Sequence, residues 1–268
     1  MAKAKSNGGD LGETVKTIVY ALLLAGLIRT LIFQPFFIPS GSMKSTLLIG
    51  DFLFVNKFTY GYSYASCPSM FGTDFCGFAK GSEGRLFGND PEVGDVVVFK
   101  HPVSGQDYIK RLVGKAGDTV QVINGVLFLN GTEAVQTPTD PFIEEYSRQG
   151  AAQGLPRCVN TAAVGGDCIK PAAIETLPNG VEHTVLNINT NRYDNTEIFT
   201  VPEDHYFFMG DNRDNSLDSR ASQRASGVGF VPAENIIGRA DRIVFSARGR
   251  SLLMFWTWRS DRFFQGIE

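Results

Sequence analysis

The segment Pro39-Ser40-Gly41-Ser42-Met43-Lys44-Ser45-Thr46-Leu47 sets two serines on either side of a glycine. That spacing lets one hydroxyl and a nearby backbone N–H converge on a single point, as stabilising an oxyanion requires. A serine hydroxyl is a weak nucleophile at neutral pH and needs an adjacent base. Histidine is the usual base, and the chain has three. His101 precedes a proline, His183 lies in a polar stretch and His205 opens an apolar run, so structural roles suit all of them. A lysine can serve instead if its amine is neutral, and burial among apolar groups favours that by lowering a pKa of about 10.4. Lys110 lies between Ile109 and Arg111 on an expected strand, where alternation points it opposite its immediate neighbours. Tyr108, Ile109 and Leu112 supply apolar surroundings. Alone, such a lysine reads as a solvated surface residue.

A third block changes that reading. The run Gly210-Asp211-Asn212-Arg213-Asp214-Asn215-Ser216-Leu217-Asp218-Ser219-Arg220 follows Asp107-Tyr108-Ile109-Lys110-Arg111 and the serine block. Together the three resemble the bacterial type I signal peptidases (leader peptidases), serine proteases with a lysine base. The resemblance covers the N-terminal apolar segment, Pro35 to Lys57, Asp95 to Gly125 and Val201 to Gly238. It implies Ser42 as nucleophile, Lys110 as general base, and the Ser40 hydroxyl with the Ser42 N–H as oxyanion hole. It further implies that Ser216 orients the lysine amine. Asp211, Asp218 and Arg220 would shape the site through ion pairs, with Arg111 a partner. Phe36, Ile38, Met43, Leu47, Tyr108 and Ile109 become the residues expected to line shallow pockets for the small residues of A-x-A cleavage sites. The chain departs from the family at Ser45, where a proline is common; serine lacks the fixed φ of that ring.

Val15 to Phe33 is mostly apolar and close to the roughly 20 residues that span a bilayer. A cleavable signal peptide is the alternative, but no small-x-small site follows it. Lys3 and Lys5 precede the segment and Lys16 lies at its start, ahead of the apolar core from Ile18, which places the N-terminus in the cytoplasm and the rest beyond a bacterial inner membrane, as a single-pass protein. Cys67 with Cys76 and Cys158 with Cys168 are near in sequence and fit two short disulfide loops in an oxidising compartment, or else four buried thiols. Neither pair has zinc-site spacing, and neither a metal nor an organic cofactor is expected. A net charge of −3 argues against a nucleic-acid partner.

The rest reads as mostly antiparallel β, with an inserted irregular or β subdomain and one N-terminal transmembrane helix. Expected strands are Phe52–Val55, Val93–Phe99, Tyr108–Val113, a hairpin over Val120–Leu129 turning at Asn124-Gly125, Ile198–Val201, Tyr206–Met209 and a closing strand pair over Ile236–Phe245. The expected division is a tail at 1–14, an anchor at 15–33, a catalytic β domain at 34–137 and 197–250, an insert at 138–196, and an aromatic, basic segment at 251–268. That last segment suits either the membrane interface or the face of the sheet. The function expected is a membrane-bound endopeptidase that removes signal peptides from exported preproteins, with the lipid bilayer and the export machinery as partners. A narrow-range Ser–Lys maturation peptidase and an inactive anchored periplasmic scaffold are the alternatives.

Overall fold

The computed structural model describes residues 10–66, 69–70, 73–74, 88–150, 152–249 and 254–267. Cys67 and Cys76 lie outside them, so that expected pair is not described. Helix α1 (Asp10–Leu31) opens the chain, followed by β1 (Phe33–Phe37), β2 (Asp51–Asn56) and a small hairpin of β3 (Ser69–Met70) and β4 (Thr73–Asp74). Then come β5 (Val96–Lys100), β6 (Asp107–Gly114), β7 (Thr119–Ile123), β8 (Val126–Leu129), β9 (Thr132–Glu133), β10 (Val135–Glu145), β11 (Asp167–Thr176) and β12 (Glu182–Leu186). β13 (Phe199–Thr200), β14 (His205–Met209), β15 (Val231–Pro232) and β16 (Ile236–Ser246) complete the order.

The principal sheet has seven strands in the order β1-β2-β16-β5-β6-β14-β15, and its pairs are antiparallel. Strand β5 is central and buried on both faces, which is why Val96-Val97-Val98-Phe99 is an unbroken apolar run rather than an alternating one. Val96 and Val98 pack with Ile38, Met43, Leu47, Leu53 and Ile243. Val97 and Phe99 face the other way, onto Tyr60, Leu112, Tyr206 and Phe208. A second sheet, β13-β7-β8-β9, turns at Asn124 and Gly125, whose φ values of 50° and 82° are the left-handed pair that an Asn-Gly hairpin favours.

Two expectations need correction. Ile236 to Ser246 forms one long strand, not a pair, because no turn residues interrupt it. Its Gly238 lies against the Asn56 carbonyl, where an added Cβ would come within 2.5 Å, so this glycine serves close strand approach. At the N-terminus, α1 begins at Asp10 and ends at Leu31, so Phe33 belongs to β1 rather than to the helix. Among the described residues no helix is long and apolar enough to cross a membrane.

The expected 138–196 insert contains the three-stranded antiparallel sheet β10-β11-β12, whose first strand starts slightly earlier, at Val135. Cys158 and Cys168 are joined by a disulfide with Cα atoms 5.2 Å apart, which ties the connecting loop to β11. The sheet folds back onto the serine block, with Glu144 of β10 against Lys44.

Candidate active site

After β1 the chain leaves the principal sheet in a turn that carries Ser42 and returns at Asp51. The ends of this excursion are closed by Ile38 N–H to the Asp51 carbonyl (2.9 Å) and Gly50 N–H to the Ile38 carbonyl (3.0 Å). Met43 and Leu47 are buried in the core beneath it. Strand β6 runs between β5 and β14, with Arg111 opposite Met209. The chain therefore leaves β14 beside Arg111 and delivers Gly210 to Arg220 directly against the serine turn. Asn212 donates its N–H to the Ser42 carbonyl (3.1 Å) and its Nδ2 to the Gly41 carbonyl (2.9 Å). Gly210 must be a glycine here, since a Cβ would lie 2.3 Å from Ser216 Oγ and 2.6 Å from the Ser42 carbonyl oxygen.

This construction brings together Ser42 and Lys110, which are 68 residues apart: a hydrogen bond of 2.6 Å joins Lys110 Nζ to Ser42 Oγ. The amine also donates to the Ile109 carbonyl at 3.0 Å. Both residues are buried, and desolvation lowers the Lys110 pKa to about 8. Asp218 and Asp211 oppose that fall by their charge. Each, however, is already engaged. Asp211 takes a two-pronged contact from Arg111, at 2.9 Å and 2.8 Å, and a 2.5 Å bond from Thr46 Oγ1. Asp218 takes a similar pair from Arg220, both at 2.9 Å, and accepts from the Gly210 N–H at 3.0 Å. Arginine contacts hold both carboxyls below their usual range despite burial.

The other expected residues are distributed around this centre. Ser40 is exposed at the edge of the turn. Ser216 is buried beside Asp218, and its hydroxyl makes no hydrogen bond of ordinary geometry, to Lys110 or to another group among the described residues. Ile38, Met43 and Leu47 form a closed floor, with Phe36 and Ile109 half-buried against the same cluster. Tyr108 packs on a different cluster, 4.8 Å from the His101 ring. None of the histidines bonds to Ser42. His101 Nδ1 accepts two backbone N–H groups of its own turn. His205 Nδ1 lies 2.7 Å from the Glu203 carbonyl. His183 is buried 3.3 Å from Glu175 and 3.9 Å from Asp211, behind the site.

Several contributors escaped sequence reasoning. Lys44, a member of the serine segment with no expected role, is buried and bonds Glu144 (2.5 Å) and Gln149 (2.7 Å) of the insert. Lys170 on β11 holds the other oxygen of the Glu144 carboxylate. Thr46, Asn212 and Gly210 were likewise unassigned. The C-terminal segment packs its arginines against the serine turn. Arg259 and Arg262 turn inward to the buried Asp51 and to the Ile49 and Thr46 carbonyls, bracing the serine turn. Phe255, Trp256 and Phe264 remain exposed.

Comparison with known proteins identifies the family. The family model described as signal peptidase, peptidase S26, matches residues 11–245. Signal peptidase I of Rickettsia typhi is 38% identical over 249 residues, covering 88% of this chain and 82% of its own. The protein of the same name from Rickettsia prowazekii gives the same figures. A crystal structure of a signal peptidase I from Enterococcus faecalis is 25% identical over 56% of this chain and 97% of that one, with a TM-score of 0.30. With the matched region spanning the serine turn, β6 and the Gly210–Arg220 loop, the chain belongs to the signal peptidase family of serine endopeptidases.

Proposed function

We propose that this protein cleaves the signal peptides of exported preproteins after small residues, with Ser42 as nucleophile and the neutral amine of Lys110 as general base. The observation that carries the reading is a lysine with its amine 2.6 Å from a serine hydroxyl and so thoroughly desolvated that its pKa falls to about 8. At that value a useful fraction of the amine is neutral near pH 7, and a base works best when its pKa lies near the working pH. Lys110 takes the proton of Ser42 Oγ as that oxygen attacks the scissile carbonyl carbon. The resulting ammonium gives the proton to the departing amine, leaving an ester on Ser42. Water, deprotonated by the regenerated amine, then hydrolyses the ester. The oxyanion of each tetrahedral step is met by the Ser42 N–H and by the Ser40 hydroxyl, which is free at the mouth of the turn to rotate toward it. The Ile109 carbonyl holds the amine in this structure; Ser216 is assigned to that task once substrate is bound.

Residues 34–137 and 197–250 form the catalytic domain in this reading, with 138–196 inserted. The substrate strand pairs along the sheet edge. Phe36, Tyr108 and Ile109 meet its side chains, over the floor of Ile38, Met43 and Leu47. Attachment to the inner membrane is assigned to the N-terminal apolar segment Val15 to Phe33, which is close in length to the roughly 20 residues that span a bilayer. Its exposed Ile18, Val19, Leu22, Leu23 and Leu24 support the assignment, as do the exposed Phe33 and Phe37 that follow. The N-terminus is then cytoplasmic, the catalytic domain lies outside, and preproteins arrive from the export machinery.

The test is cleavage of a generic A-x-A preprotein by the purified full chain, run beside Ser42→Ala. Cleavage at the A-x-A site by the wild type alone supports the reading. Equal cleavage by Ser42→Ala would remove the nucleophile assignment. For the topology, protease added outside inner-membrane vesicles of cellular orientation should digest everything beyond Phe33, and protection of the large domain would invert the assignment.

A further inference from the structure

The turn that carries Ser42 contains no regular strand or helix, and Ser45 places no ring constraint on it. Its shape is imposed by contacts from outside. On one side stand Asn212, which holds the Gly41 and Ser42 carbonyls, and Asp211, which holds Thr46. On the other side stands Lys44. Its stem folds back over Gly41, whose absent Cβ leaves room for it: an added one would lie 3.1 Å from Lys44 Cε. The ammonium is drawn to Glu144 and Gln149, and Gln149 Nε2 donates to the same carboxylate at 2.9 Å. Lys170 on the neighbouring strand keeps Glu144 in place from its other oxygen. The tip of the same loop also touches the turn, since a Cβ on Gly150 would fall 2.6 Å from the Pro39 carbonyl oxygen.

We infer that Lys44 is a positioning residue for the nucleophile: Glu144, Lys170 and Gln149 of the insert pin its ammonium, and its stem holds Gly41 and hence Ser42 at hydrogen-bonding distance from Lys110. The inference rests on Ser42 as nucleophile. It gives the 138–196 segment a task in the reaction, as the outer wall of the serine turn. Without Glu144 the two ammonium groups would face each other in the interior with no carboxylate between them, and Lys44 would have to move. A route exists, because Lys44 lines a cavity of 790 Å³ together with Ile49, Phe142, Arg148 and Gln149. A side chain leaving by that route no longer rests on Gly41.

The experiment measures pre-steady-state acylation by a full-length A-x-A preprotein, expressed per titrated active site so that unfolded protein does not count. Lys44→Met keeps the stem length without the charge, and Glu144→Gln keeps the shape without the anion. Each should lower the acylation rate roughly 30-fold, the scale of an ångström-level misplacement, with KM within about twofold. The double variant should be no slower than either single one, because the residues act as a unit. Acylation within about twofold of wild type in both single variants would overturn the inference. Should both fail to fold, Gln149→Ala, which leaves the ion pairs intact, carries the test: a threefold or greater loss supports it and an unchanged rate overturns it. Ser42→Ala is run alongside. If it acylates, the nucleophile assignment falls and the inference with it; if it is inert while the Lys44 and Glu144 variants acylate normally, only the positioning role falls.

Discussion

Lys110 and Lys44 flank the same serine, are 4% and 3% exposed respectively, and have opposite surroundings. Around Lys44 desolvation still lowers the amine's pKa, but the insert sheet supplies a carboxylate at 2.5 Å that opposes the fall. Around Lys110 no carboxylate comes within ion-pairing distance among the described residues; the nearby Asp211 and Asp218 are each occupied by an arginine. Burial alone therefore does not make a lysine a base. What decides is whether the fold gives the ammonium a dedicated counter-charge, and here Arg111 and Arg220 withhold it from Lys110 by keeping both carboxylates engaged.

The largest effect that tests this contrast is loss of the amine or the hydroxyl. Lys110→Ala and Ser42→Ala should each reduce preprotein cleavage by ~10⁴-fold or more with the fold retained, because nucleophile and base act as one unit. Lys110→Arg should fail as badly, since guanidinium stays protonated. Substantial neutral-pH turnover by Lys110→Ala, measured with a preprotein, would break the assignment.

Next in size is the arginine lock on Asp211. Asp211→Ala leaves Arg111 buried and uncompensated and should cost about 3–5 kcal/mol of stability, read as a lowered urea midpoint. A loss below about 1 kcal/mol would mean the pair contributes little to holding the site.

The third expectation reverses sign. The folded-state pKa of Lys110 is depressed from 10.5 to about 8, so the folded protein carries a penalty for the charged amine. That penalty, about 3 kcal/mol, is fully present below pH 8 and disappears as pH rises toward 10.5. Lys110→Met should therefore unfold at higher urea than wild type at pH 7, and the advantage should vanish near pH 10.5. A less stable Lys110→Met at pH 7 would show that the amine is not under strain.

The same shift sets the activity profile. Log kcat/KM should rise with unit slope as pH increases toward about 8 and then level off, since only the neutral amine accepts the proton. An acid limb that survives with high activity in Lys110→Ala and disappears on replacing His101 or His205 would point to a histidine base instead. The smallest effect is expected for Ser216→Ala, a reduction of about two- to tenfold in kcat, because it forfeits one orienting hydrogen bond rather than the proton acceptor. A loss as large as that of Lys110→Ala would place Ser216 in the chemistry itself.

How legible the molecule was in its sequence varied with the range of the interaction. Strands β2, β5, β6, β7, β8 and β14 were visible because apolar runs and an Asn-Gly turn are local signals. The closing strand was misread as a pair because a bulged strand lets Asp241 and Arg242 interrupt the apolar pattern without turning the chain. Lys44 gave no signal at all: its partner Glu144 lies 100 residues away, and no periodicity connects them.

The sequence by itself determined the chemical inventory: a serine turn with a glycine that a backbone can approach closely, a lysine set among apolar strand residues, and a charged loop able to meet both. It also determined that the chain would be mostly antiparallel sheet, because alternation and turn residues act over a few positions. Only the tertiary structure decided which buried lysine is left without a dedicated counter-charge. Desolvation and counter-charge are sums over everything packed around an amine, and those neighbours come from β6, the Gly210–Arg220 loop and the insert at once. No local stretch of residues contains that sum.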